Sequence, residues 1–404
     1  MARFAVLSYH TSPLQQAGTG DAGGMNVYVR ELSSALARLG HEVDVYARRD
    51  DPACRETVLV EPGLRVHHVT AGPPTPLARE RFVEHIDAYT AGVAAAIKCG
   101  PVPDVVHANY WLSGLAGHQL KHEFAVPLVV TFHTLERVKA AADVGESDHR
   151  ASQEAGIIAC ADAVLASCQV EADQVVELYG ATPARVRVVP LGVQHAFFSP
   201  GNRSQARRAL GLEPSRALLA YVGRLQPLKG VDLALETLIA LRARGHPARL
   251  AIIGGPSGPE GPTTLARLHR RVGDAGVIDD VMFVAPQAHQ MLSSWLRAAD
   301  VTLVPSRSES FGLVALESSA CGTPVLASSV GGLRNLVEPG VNGRLLEHRD
   351  PEGWADAALE MMDGERNAWG ARAAVLAARY TWRAAAEELV DLTAGFAGAG
   401  LVRC

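Results

Sequence analysis

Short aliphatic segments alternate with longer segments of helical periodicity along the chain. In the first half, the segments with strand character lie at residues 4–8, 43–47, 105–108, 128–132, 163–167 and 186–189. Segments whose apolar residues recur every three or four positions lie between them, at 24–39, 82–98, 114–122 and 171–179. This alternation predicts an α/β fold with a parallel sheet that helices cover on both faces.

The same pattern starts again in the second half of the chain. Its strand segments lie at 218–223, 249–254, 281–284, 301–304, 324–327 and 344–346, and its helical segments at 231–244, 264–275, 291–298 and 313–320. A chain of 404 residues is long for one hydrophobic core. We therefore predict two Rossmann-like, doubly wound domains that face each other across a cleft, with ligands at the carboxyl ends of the strands.

Proline and glycine interrupt the regular pattern near residues 190–203. We expect the first domain to span residues 1–196 and the second to span residues 197–380. Residues 381–404 would form a helix and a tail that can cross back to the first domain.

The composition is that of an ordinary soluble globular protein, with 48% hydrophobic and 20% charged residues. A net charge of −5 gives no reason to expect a nucleic acid as a partner. We find no apolar stretch of membrane-spanning length and no signal peptide, so we expect a cytoplasmic protein without a membrane partner. The six cysteines lack CxxC pairs and zinc-ligand spacing, and we expect them to be reduced and to bind no metal.

Two glutamates flank a glycine-bearing turn in the second half. Glu309 follows the strand segment at 301–304, and Glu317 lies within the helical segment at 313–320. The first N–H groups of a helix lack internal partners, so a loop that leads from a strand into a helix favours an anion there. Because carboxylates accept hydrogen bonds from paired sugar hydroxyls, the turn suits a sugar nucleotide. Backbone N–H groups would bind the diphosphate, and the two acids would bind the hexose and the ribose.

A basic loop follows the first strand of the second half. Residues 222–230 contain Arg224 and Lys229, close to the carboxyl end of that strand. Two cations at this place suit a diphosphate whose negative charge grows during transfer. The alternative is a solvated basic loop without a ligand, and the turn that carries Glu309 favours the diphosphate.

Three signals in the first half are weaker. The glycine-rich segment 18–26 could approach a phosphate or a sugar closely, but tight packing explains it equally well, and it lacks the register of the dinucleotide fingerprint. His133 ends a strand at the edge where ligands bind. Arg150 and Glu154, at i,i+4 spacing, are typical of a surface ion pair.

Six sequence blocks together resemble the retaining GT-B glycosyltransferases of the large family 4, over essentially the whole chain. They are HTSPL at 10–14, GTGDAGGMNVY at 18–28, YWLSG at 110–114, QPLK at 226–229, GGPSG at 254–258 and SESFGLV at 308–314. The resemblance is strongest to the actinobacterial enzymes that transfer N-acetylglucosamine to inositol 3-phosphate in mycothiol synthesis. It implies the GT-B fold and a metal-independent transfer from a UDP-sugar, with retention at the anomeric carbon and no cofactor.

The resemblance also implies which residues bind the nucleotide. Arg224 and Lys229 would stabilise the departing diphosphate, and Glu317 would hold the ribose. Gly23 and Gly24 would approach the phosphates.

The residues around the reacting sugar follow in the same way. Glu309 would hold the donor hexose together with the backbone of Ser310, Phe311 and Gly312, and His133 would lie against the sugar near the reacting centre. The resemblance places no side chain as a covalent nucleophile. A same-face route, in which the leaving phosphate accepts the proton of the acceptor, fits best.

The acceptor contacts of the inositol-phosphate enzymes fall on Asn26, Arg79, Tyr110, Thr134 and Arg150. The residue types agree at four of these positions, and Arg79 replaces a lysine. The two retained cations favour a phosphorylated acceptor.

Three departures from the family pattern point elsewhere. Asn109 replaces a histidine, Arg307 replaces a tyrosine, and Glu136 replaces a residue that is usually small. A carboxylate near the acceptor is unfavourable beside a phosphate and favourable beside an amine. It therefore favours 2-deoxystreptamine, the aminocyclitol of aminoglycoside antibiotics. The alternative is that Glu136 points to solvent and pairs with Lys139 or Arg137.

We therefore expect a GT-B enzyme whose N-terminal domain binds a cyclitol and whose C-terminal domain binds UDP-N-acetylglucosamine or UDP-glucose. The preferred acceptor is an aminocyclitol in aminoglycoside biosynthesis, and the alternative is inositol 3-phosphate in mycothiol biosynthesis. Alternatives of other kinds are sucrose-phosphate synthesis, a non-catalytic sugar-nucleotide-binding protein and a dinucleotide-dependent oxidoreductase. The sequence leaves the oligomeric state open, with a homodimer as one expectation.

Overall fold

The computed structural model describes residues 1–18, 20, 22–141, 148–258, 260–363, 366–396 and 400–404, with the backbone alone at positions 79, 363, 366 and 367. The chain divides into two compact units. The first contains Met1–Gln15, Gly24–Gly192 and Trp382–Cys404, and the second contains Gln16–Gly23 and Val193–Thr381. The glycine-rich segment after the first strand, which the sequence analysis placed in the N-terminal domain, thus lies mostly in the second unit.

A sheet of eight strands forms the core of the first unit. The strands are β1 (Arg3–Leu7), β2 (Glu42–Arg48), β3 (Thr57–Glu61), β4 (Leu64–Val69), β5 (Val105–Asn109), β6 (Leu128–Thr131), β7 (Ala163–Ala166) and β8 (Val186–Val188). They lie in the order β3-β4-β2-β1-β5-β6-β7-β8, and all neighbours are parallel except β3 and β4. Leu7, Val106 and Leu128 on the central strands are fully buried, as continuous aliphatic runs in a covered parallel sheet should be.

The helices of the first unit connect these strands. They are α1 (Gly24–Arg38), α2 (Ile86–Lys98), α3 (Tyr110–Phe124), α4 (Glu136–Ala140), α5 (Asp148–Cys160) and α6 (Gln169–Tyr179). α1 buries Tyr28, Leu32 and Leu36, which share one helical face because they lie four residues apart. α3 begins directly where β5 ends, so the first residue of this helix stands at the carboxyl edge of the sheet.

The second unit contains a sheet of six parallel strands. They are β9 (Ala217–Val222), β10 (Ala248–Ile253), β11 (Val281–Val284), β12 (Val301–Val304), β13 (Val325–Ser328) and β14 (Gly343–Leu346). Their order is β11-β10-β9-β12-β13-β14, so the direction of winding changes between β9 and β12. In doubly wound sheets, ligands bind outside the carboxyl ends of the strands at such a change.

Helices cover this second sheet, and the last helix returns to the first unit. The helices of the second unit are α7 (Arg203–Ala209), α8 (Val231–Ala243), α9 (Gly261–Asp274), α10 (His289–Ala298), α11 (Leu313–Ala320), α12 (Leu333–Leu336), α13 (Pro351–Asp363) and α14 (Arg366–Ala377). Helix α15 (Trp382–Ala394) belongs to the first unit, where the Trp382 ring lies 5.9 Å from the Tyr28 ring of α1. In the part of the chain that the structure describes, no helix combines the length and the apolarity needed to span a bilayer.

Every strand predicted from the sequence is present, and the α/β prediction of two Rossmann-like sheets is confirmed. The hairpin of β3 and β4 was not predicted. Its two-residue turn, Pro62-Gly63, with Gly63 at φ +82°, is the signal that could have revealed it. The expectation of reduced cysteines is wrong for one pair, because Cys160 and Cys404 form a disulfide within the first unit.

Candidate functional site

Two loops of the second unit form the first candidate site, which we call the β9–β12 site (residues 223–230 and 305–312). The loops meet backbone to backbone, and Arg307 N donates to Leu228 O at 2.8 Å. Gly230 has φ +68°, and a Cβ atom at this position would lie 1.9 Å from Pro305 O. Any side chain at position 230 would push the loops apart, so this glycine sets their spacing.

An ion pair joins the two loops. Lys229 Nζ lies 2.7 Å from Glu309 Oε2, and the two side chains remain 25% and 17% exposed. Ser306 Oγ donates to the same carboxylate oxygen at 3.2 Å. Breaking a partly exposed ion pair costs little free energy, because solvent screens the two charges. A ligand charge can therefore replace one partner. The residues that the sequence analysis assigned to the diphosphate and to the hexose therefore contact each other directly.

Arg224 is held in the β9–β12 site by two neighbours. The hydroxyl of Tyr221 donates to Arg224 O at 3.1 Å, and burial, with smaller contributions from Asp232 and Glu309, raises the pKa of Tyr221 well above its ordinary value. The phenol therefore stays protonated and remains a donor. Gly23 lies against the guanidinium. A Cβ atom added at this glycine would be 3.6 Å from Arg224 Nε. Tyr221 is a positioning residue that sequence reasoning missed.

Two hydrogen bonds fix Gln16 and Gly20 to the loops that follow β10 and β11 in the second unit. Ser257 Oγ donates to Gly20 O at 2.7 Å, and Gln16 Nε2 donates to Pro286 O at 3.1 Å. Gln16, Gly20 and Gly23 therefore belong to the second unit, where Gly23 meets Arg224 of the β9–β12 site, whereas Gly24 begins α1 in the first unit.

Helix α11 begins at the edge of the same site. Gly312, at φ +104°, precedes the helix and has no side chain that could cap it, and the first intrahelical bond runs from Leu316 N to Gly312 O. A helix start of this kind presents N–H groups to an anion. Ser310 is half-buried and Phe311 is buried in the turn, and Glu317 is buried within α11.

Two further basic residues are close to each other here, Arg307 within the second loop and Arg349 beside it. Arg349 Nη1 donates to Pro305 O at 2.7 Å. Burial, followed by repulsion from Arg307, lowers the pKa of Arg349, while Asp232 acts in the opposite sense. Asp232 lies 3.7 Å from the Arg307 guanidinium and 3.9 Å from that of Arg349. Sequence reasoning did not place Arg349 in the site, because it follows β14 and is far away in sequence.

A second candidate site lies at the carboxyl ends of β5 and β6 in the first unit, and we call it the β5–β6 site (residues 109–110, 133–136, 150 and 154). Tyr110 has φ 75° and His133 has φ 62°. A left-handed backbone is uncommon for residues other than glycine and is found preferentially at functional sites. Two such residues follow neighbouring strands here, which marks this edge of the sheet.

His133 is held in the neutral form by its surroundings. Its Nε2 atom lies 3.0 Å from Asn109 Oδ1, and its ring meets the Tyr28 ring edge-on at 4.8 Å. Burial, followed by the neighbouring His107 and His10, lowers the pKa of His133 to about 3. Asn109 is fully buried, and its Nδ2 atom has no hydrogen-bond partner among the described residues. Asn109 therefore orients His133, and the N–H groups of its side-chain amide remain for another group.

A buried charge network surrounds Arg150. Its Nε donates to Glu154 Oε1 at 2.8 Å, and its Nη1 lies 3.4 Å from Glu136 Oε2. Its Nη2 donates to the carbonyl oxygen and the hydroxyl of Thr134 at 2.9 and 3.1 Å. The guanidinium carbon lies 4.9 Å from the centre of the Tyr110 ring. One cation thus meets two carboxylates, and the three charged side chains are at most 3% exposed.

Two sequence-based interpretations are wrong at this point. Arg150 and Glu154 are not a surface pair, because both are buried. Glu136 does not point to solvent, because it is buried at the start of α4 and meets Arg150. Its backbone N–H also donates to Glu154 Oε2 at 2.9 Å. A short helix places Glu136 opposite α5, which residue spacing alone could not reveal.

The other predicted acceptor residues differ in accessibility. Asn26 is buried, accepts from Thr11 Oγ1 at 3.2 Å and donates to Ser12 O at 2.7 Å, so it fixes the loop after β1. Tyr110 is 8% exposed. Arg79 begins a short 3₁₀ helix, and its side chain lies outside the described part of the chain.

Comparisons with known proteins agree with this arrangement. The family model for glycosyl transferase 4-like domains matches residues 23–192, and the model for glycosyl transferases group 1 matches residues 202–375. The D-inositol 3-phosphate glycosyltransferase of Actinosynnema mirum is 45% identical over 403 residues, covering 96% of each chain. The solved sucrose-phosphate synthase of Thermosynechococcus elongatus has a TM-score of 0.90 and 31% identity, covering 99% of this chain and 100% of that chain. Anabaena HepE, solved in complex with UDP-glucose, has the same fold, with a TM-score of 0.79 at 19% identity, covering 98% of this chain and 100% of that chain.

Two doubly wound units with charged loops at their sheet edges, together with these matches, define a glycosyltransferase of the GT-B class. The chain belongs to the glycosyltransferase family that includes the D-inositol 3-phosphate glycosyltransferases, as its 45% identity to the Actinosynnema mirum protein shows. The fold class, the family and the enzyme class predicted from the sequence are therefore confirmed. The comparisons give no support to the non-catalytic and oxidoreductase alternatives.

Proposed function

We propose that the protein transfers N-acetylglucosamine or glucose from a UDP-sugar to a hydroxyl of a cyclitol, with retention at the anomeric carbon and without a metal cofactor. The observation that carries this proposal is the β9–β12 site. It collects Arg224, Lys229 and the uncapped start of α11 at a sheet edge of the kind that binds nucleotides.

In this proposal the β9–β12 site binds the donor. Arg224, Lys229 and the first N–H groups of α11 stabilise the diphosphate, whose charge grows as the glycosidic bond breaks. Lys229 and Ser306 both contact Oε2 of Glu309, so the other carboxylate oxygen can accept hydrogen bonds from the hexose. The partly exposed Lys229 can exchange the carboxylate for an oxygen of the diphosphate. Glu317 binds the ribose, and Gly23 lets the phosphates approach the backbone.

In the first unit, His133 acts as a neutral hydrogen-bonding group. Because burial lowers the pKa of His133 to about 3, its imidazole carries no charge near neutral pH. The proton of the acceptor hydroxyl then passes to the oxygen of the leaving phosphate on the same face of the sugar. The acceptor oxygen forms the new bond to the anomeric carbon, and the bond to the diphosphate breaks.

The comparisons favour inositol 3-phosphate as the acceptor over the aminocyclitol that the sequence analysis preferred. The similar protein from Actinosynnema mirum carries that acceptor in its name and is 45% identical over 96% of both chains. Tyr110, Thr134 and Arg150, which the family resemblance assigns to the acceptor, also lie together in the β5–β6 site. We take inositol 3-phosphate as the proposed acceptor.

One observation supports 2-deoxystreptamine as a second candidate. Arg150 already meets the carboxylates of Glu136 and Glu154, so its single positive charge is shared between two buried acids. A phosphate that approaches these carboxylates meets repulsion from them, whereas an ammonium group meets attraction.

A direct assay separates the two acceptors. Purified protein is supplied with UDP-N-acetylglucosamine or UDP-glucose and with inositol 3-phosphate, unphosphorylated inositol or 2-deoxystreptamine. UDP release and the mass of the glycoside are measured. The proposal predicts a product with inositol 3-phosphate and little with inositol. A product with 2-deoxystreptamine alone would favour the second candidate, and no product with any pair would contradict the proposed function.

A further inference from the structure

Two histidines and two cysteines converge in the first unit, at a place that the proposed reaction does not use. The ligand atoms of His118, His122, Cys160 and Cys404 all lie within 4.8 Å of one another. His118 and His122 are one turn apart on α3, and Cys160 is the last residue of α5. The Sγ atoms of Cys160 and Cys404 form the disulfide described above.

The distances between nitrogen and sulfur atoms in this cluster are those of a zinc site. His122 Nε2 lies 3.2 Å from Cys404 Sγ and 3.5 Å from Cys160 Sγ, and His118 Nε2 lies 3.8 Å from Cys404 Sγ. In a tetrahedral site with Zn–N bonds near 2.05 Å and Zn–S bonds near 2.3 Å, a nitrogen and a sulfur are about 3.6 Å apart. The set of two imidazoles and two thiolates is also the donor set that selects Zn²⁺.

Hydrogen bonds fix the segment that carries Cys404 beside the two helices. Val402 N donates to Asp162 Oδ1 at 2.8 Å. Asp162 Oδ2 in turn accepts from the buried Lys121 Nζ and from Leu128 N, both at 2.8 Å. Lys121 Nζ also donates to Cys160 O at 2.7 Å. These hydrogen bonds join α3, the end of α5 and the segment that carries Cys404, so they would hold the four side chains in place around an ion.

We propose that the reduced protein binds one Zn²⁺ ion through His118, His122, Cys160 and Cys404. A dithiol reductant first gives two electrons and two protons to the disulfide, so the S–S bond breaks, two thiols form and the reductant becomes a disulfide. Zn²⁺ then replaces both thiol protons, which pass to solvent. The disulfide and the zinc complex are alternative states of the same two sulfur atoms.

The ion would be a structural metal that cross-links elements of the first unit. It would join the later part of α3, the end of α5 and residues 400–404. The opposite ends of these two helices carry Tyr110 and Arg150 of the β5–β6 site. Zinc would thus fix two helices that position this site without contacting a substrate.

Metal analysis of the full chain tests this inference. The protein is reduced, desalted under nitrogen, incubated with Zn²⁺ and desalted again, and zinc per chain is measured by mass spectrometry. We expect about one zinc per chain in the wild type and in the control Cys99→Ser, whose exposed cysteine is free, and a loss of most of that zinc in Cys404→Ser and in His122→Ala. Both altered residues are exposed, so these variants should fold, which circular dichroism checks.

Cobalt provides a second measurement that does not depend on activity. Reduced wild type loaded with Co²⁺ should show a sulfur-to-cobalt charge-transfer band and the intense visible bands of tetrahedral cobalt, and both should be lost in Cys404→Ser. Absence of zinc from the reduced wild type, or equal zinc in all four proteins, would overturn the proposal and leave the disulfide as the only role of the two cysteines.

Discussion

The two candidate sites hold their charges in opposite ways. In the β9–β12 site, Lys229 pairs with one carboxylate, and both side chains keep contact with solvent. In the β5–β6 site, Arg150 is buried and shared between Glu136 and Glu154. A partly exposed pair can open for a ligand at little loss of free energy, whereas a buried network that loses one member leaves uncompensated charges. The first arrangement is suited to exchanging partners, and the second is suited to keeping its shape.

The largest effect that would test this contrast is on stability. Arg150→Met should lower the free energy of unfolding by about 3–5 kcal/mol, because two carboxylates remain buried without their cation. Arg383→Met is the matched control, since Arg383 also pairs with a glutamate four residues later but is 75% exposed, and it should change stability by less than about 1 kcal/mol. Urea denaturation measures both. Equal effects of the two substitutions would remove the distinction between the sites.

The next effect concerns activity rather than stability. Lys229→Ala should lower the rate of transfer by about 10²–10³-fold, because the departing diphosphate loses a cation in the transition state. Its free energy of unfolding should change by less than about 1 kcal/mol, since the pair is partly exposed. UDP release at saturating substrate and urea denaturation are measured side by side. The exposed Lys98→Ala is the control, and full activity in Lys229→Ala would refute the role of this lysine.

A smaller effect concerns the charge of the acceptor. Glu136→Gln removes one negative charge beside Arg150 and should raise the relative preference for a phosphorylated over an amine-bearing cyclitol by about tenfold. The ratio of kcat/KM for inositol 3-phosphate and 2-deoxystreptamine measures this preference, or the ratio of inhibition constants where one compound is not a substrate. Glu84→Gln, at an exposed glutamate, is the control. An unchanged ratio would show that the network does not select acceptors by charge.

The pH dependence of stability tests whether His133 and the neighbouring His107 are buried in the neutral form. Burial lowers the pKa of His133 to about 3 and that of His107 to about 4, from 6.5. The unfolded chain therefore takes up protons that the folded chain does not, so the free energy of unfolding is highest above pH 6.5 and falls as the pH falls towards 3.

A variant should make that fall shallower. His133→Asn removes one of the two histidines, and asparagine tolerates the left-handed backbone at this position. Urea denaturation from pH 7 to pH 4.5 compares the wild type, this variant and His246→Asn, which alters an exposed histidine. Identical slopes in the wild type and His133→Asn would contradict the assignment.

The smallest expected effect is that of a chelator. If the cations of the β9–β12 site replace a metal at the diphosphate, transfer should proceed without added Mg²⁺ and should change by less than twofold when EDTA is added at the start of the assay. Initial rates of UDP release measure this. A rate that depends on Mg²⁺ would mean that Arg224 and Lys229 are not sufficient for the leaving group.

Much of the fold could be predicted from the sequence because parallel strands that are covered on both faces are continuous aliphatic runs, such as that of β7. The β9–β12 site could also be predicted, since its residues follow strand ends within short loops. The environment of Glu136 could not be predicted from the sequence, because it depends on how α4 approaches α5. The pairing of Cys160 with Cys404 could not be predicted either, because 244 residues separate them in sequence.

The assignment of Gln16–Gly23 to the second unit has a practical consequence for anyone who divides this gene. A cut at residue 192 would produce a carboxyl-terminal fragment that lacks Gly23, which lies against Arg224. The peptide that contains Gly23 would remain on the amino-terminal fragment, which lacks its hydrogen-bond partners Ser257 and Pro286. Two-piece complementation or domain exchange with a relative should therefore transplant this short peptide together with the carboxyl-terminal half.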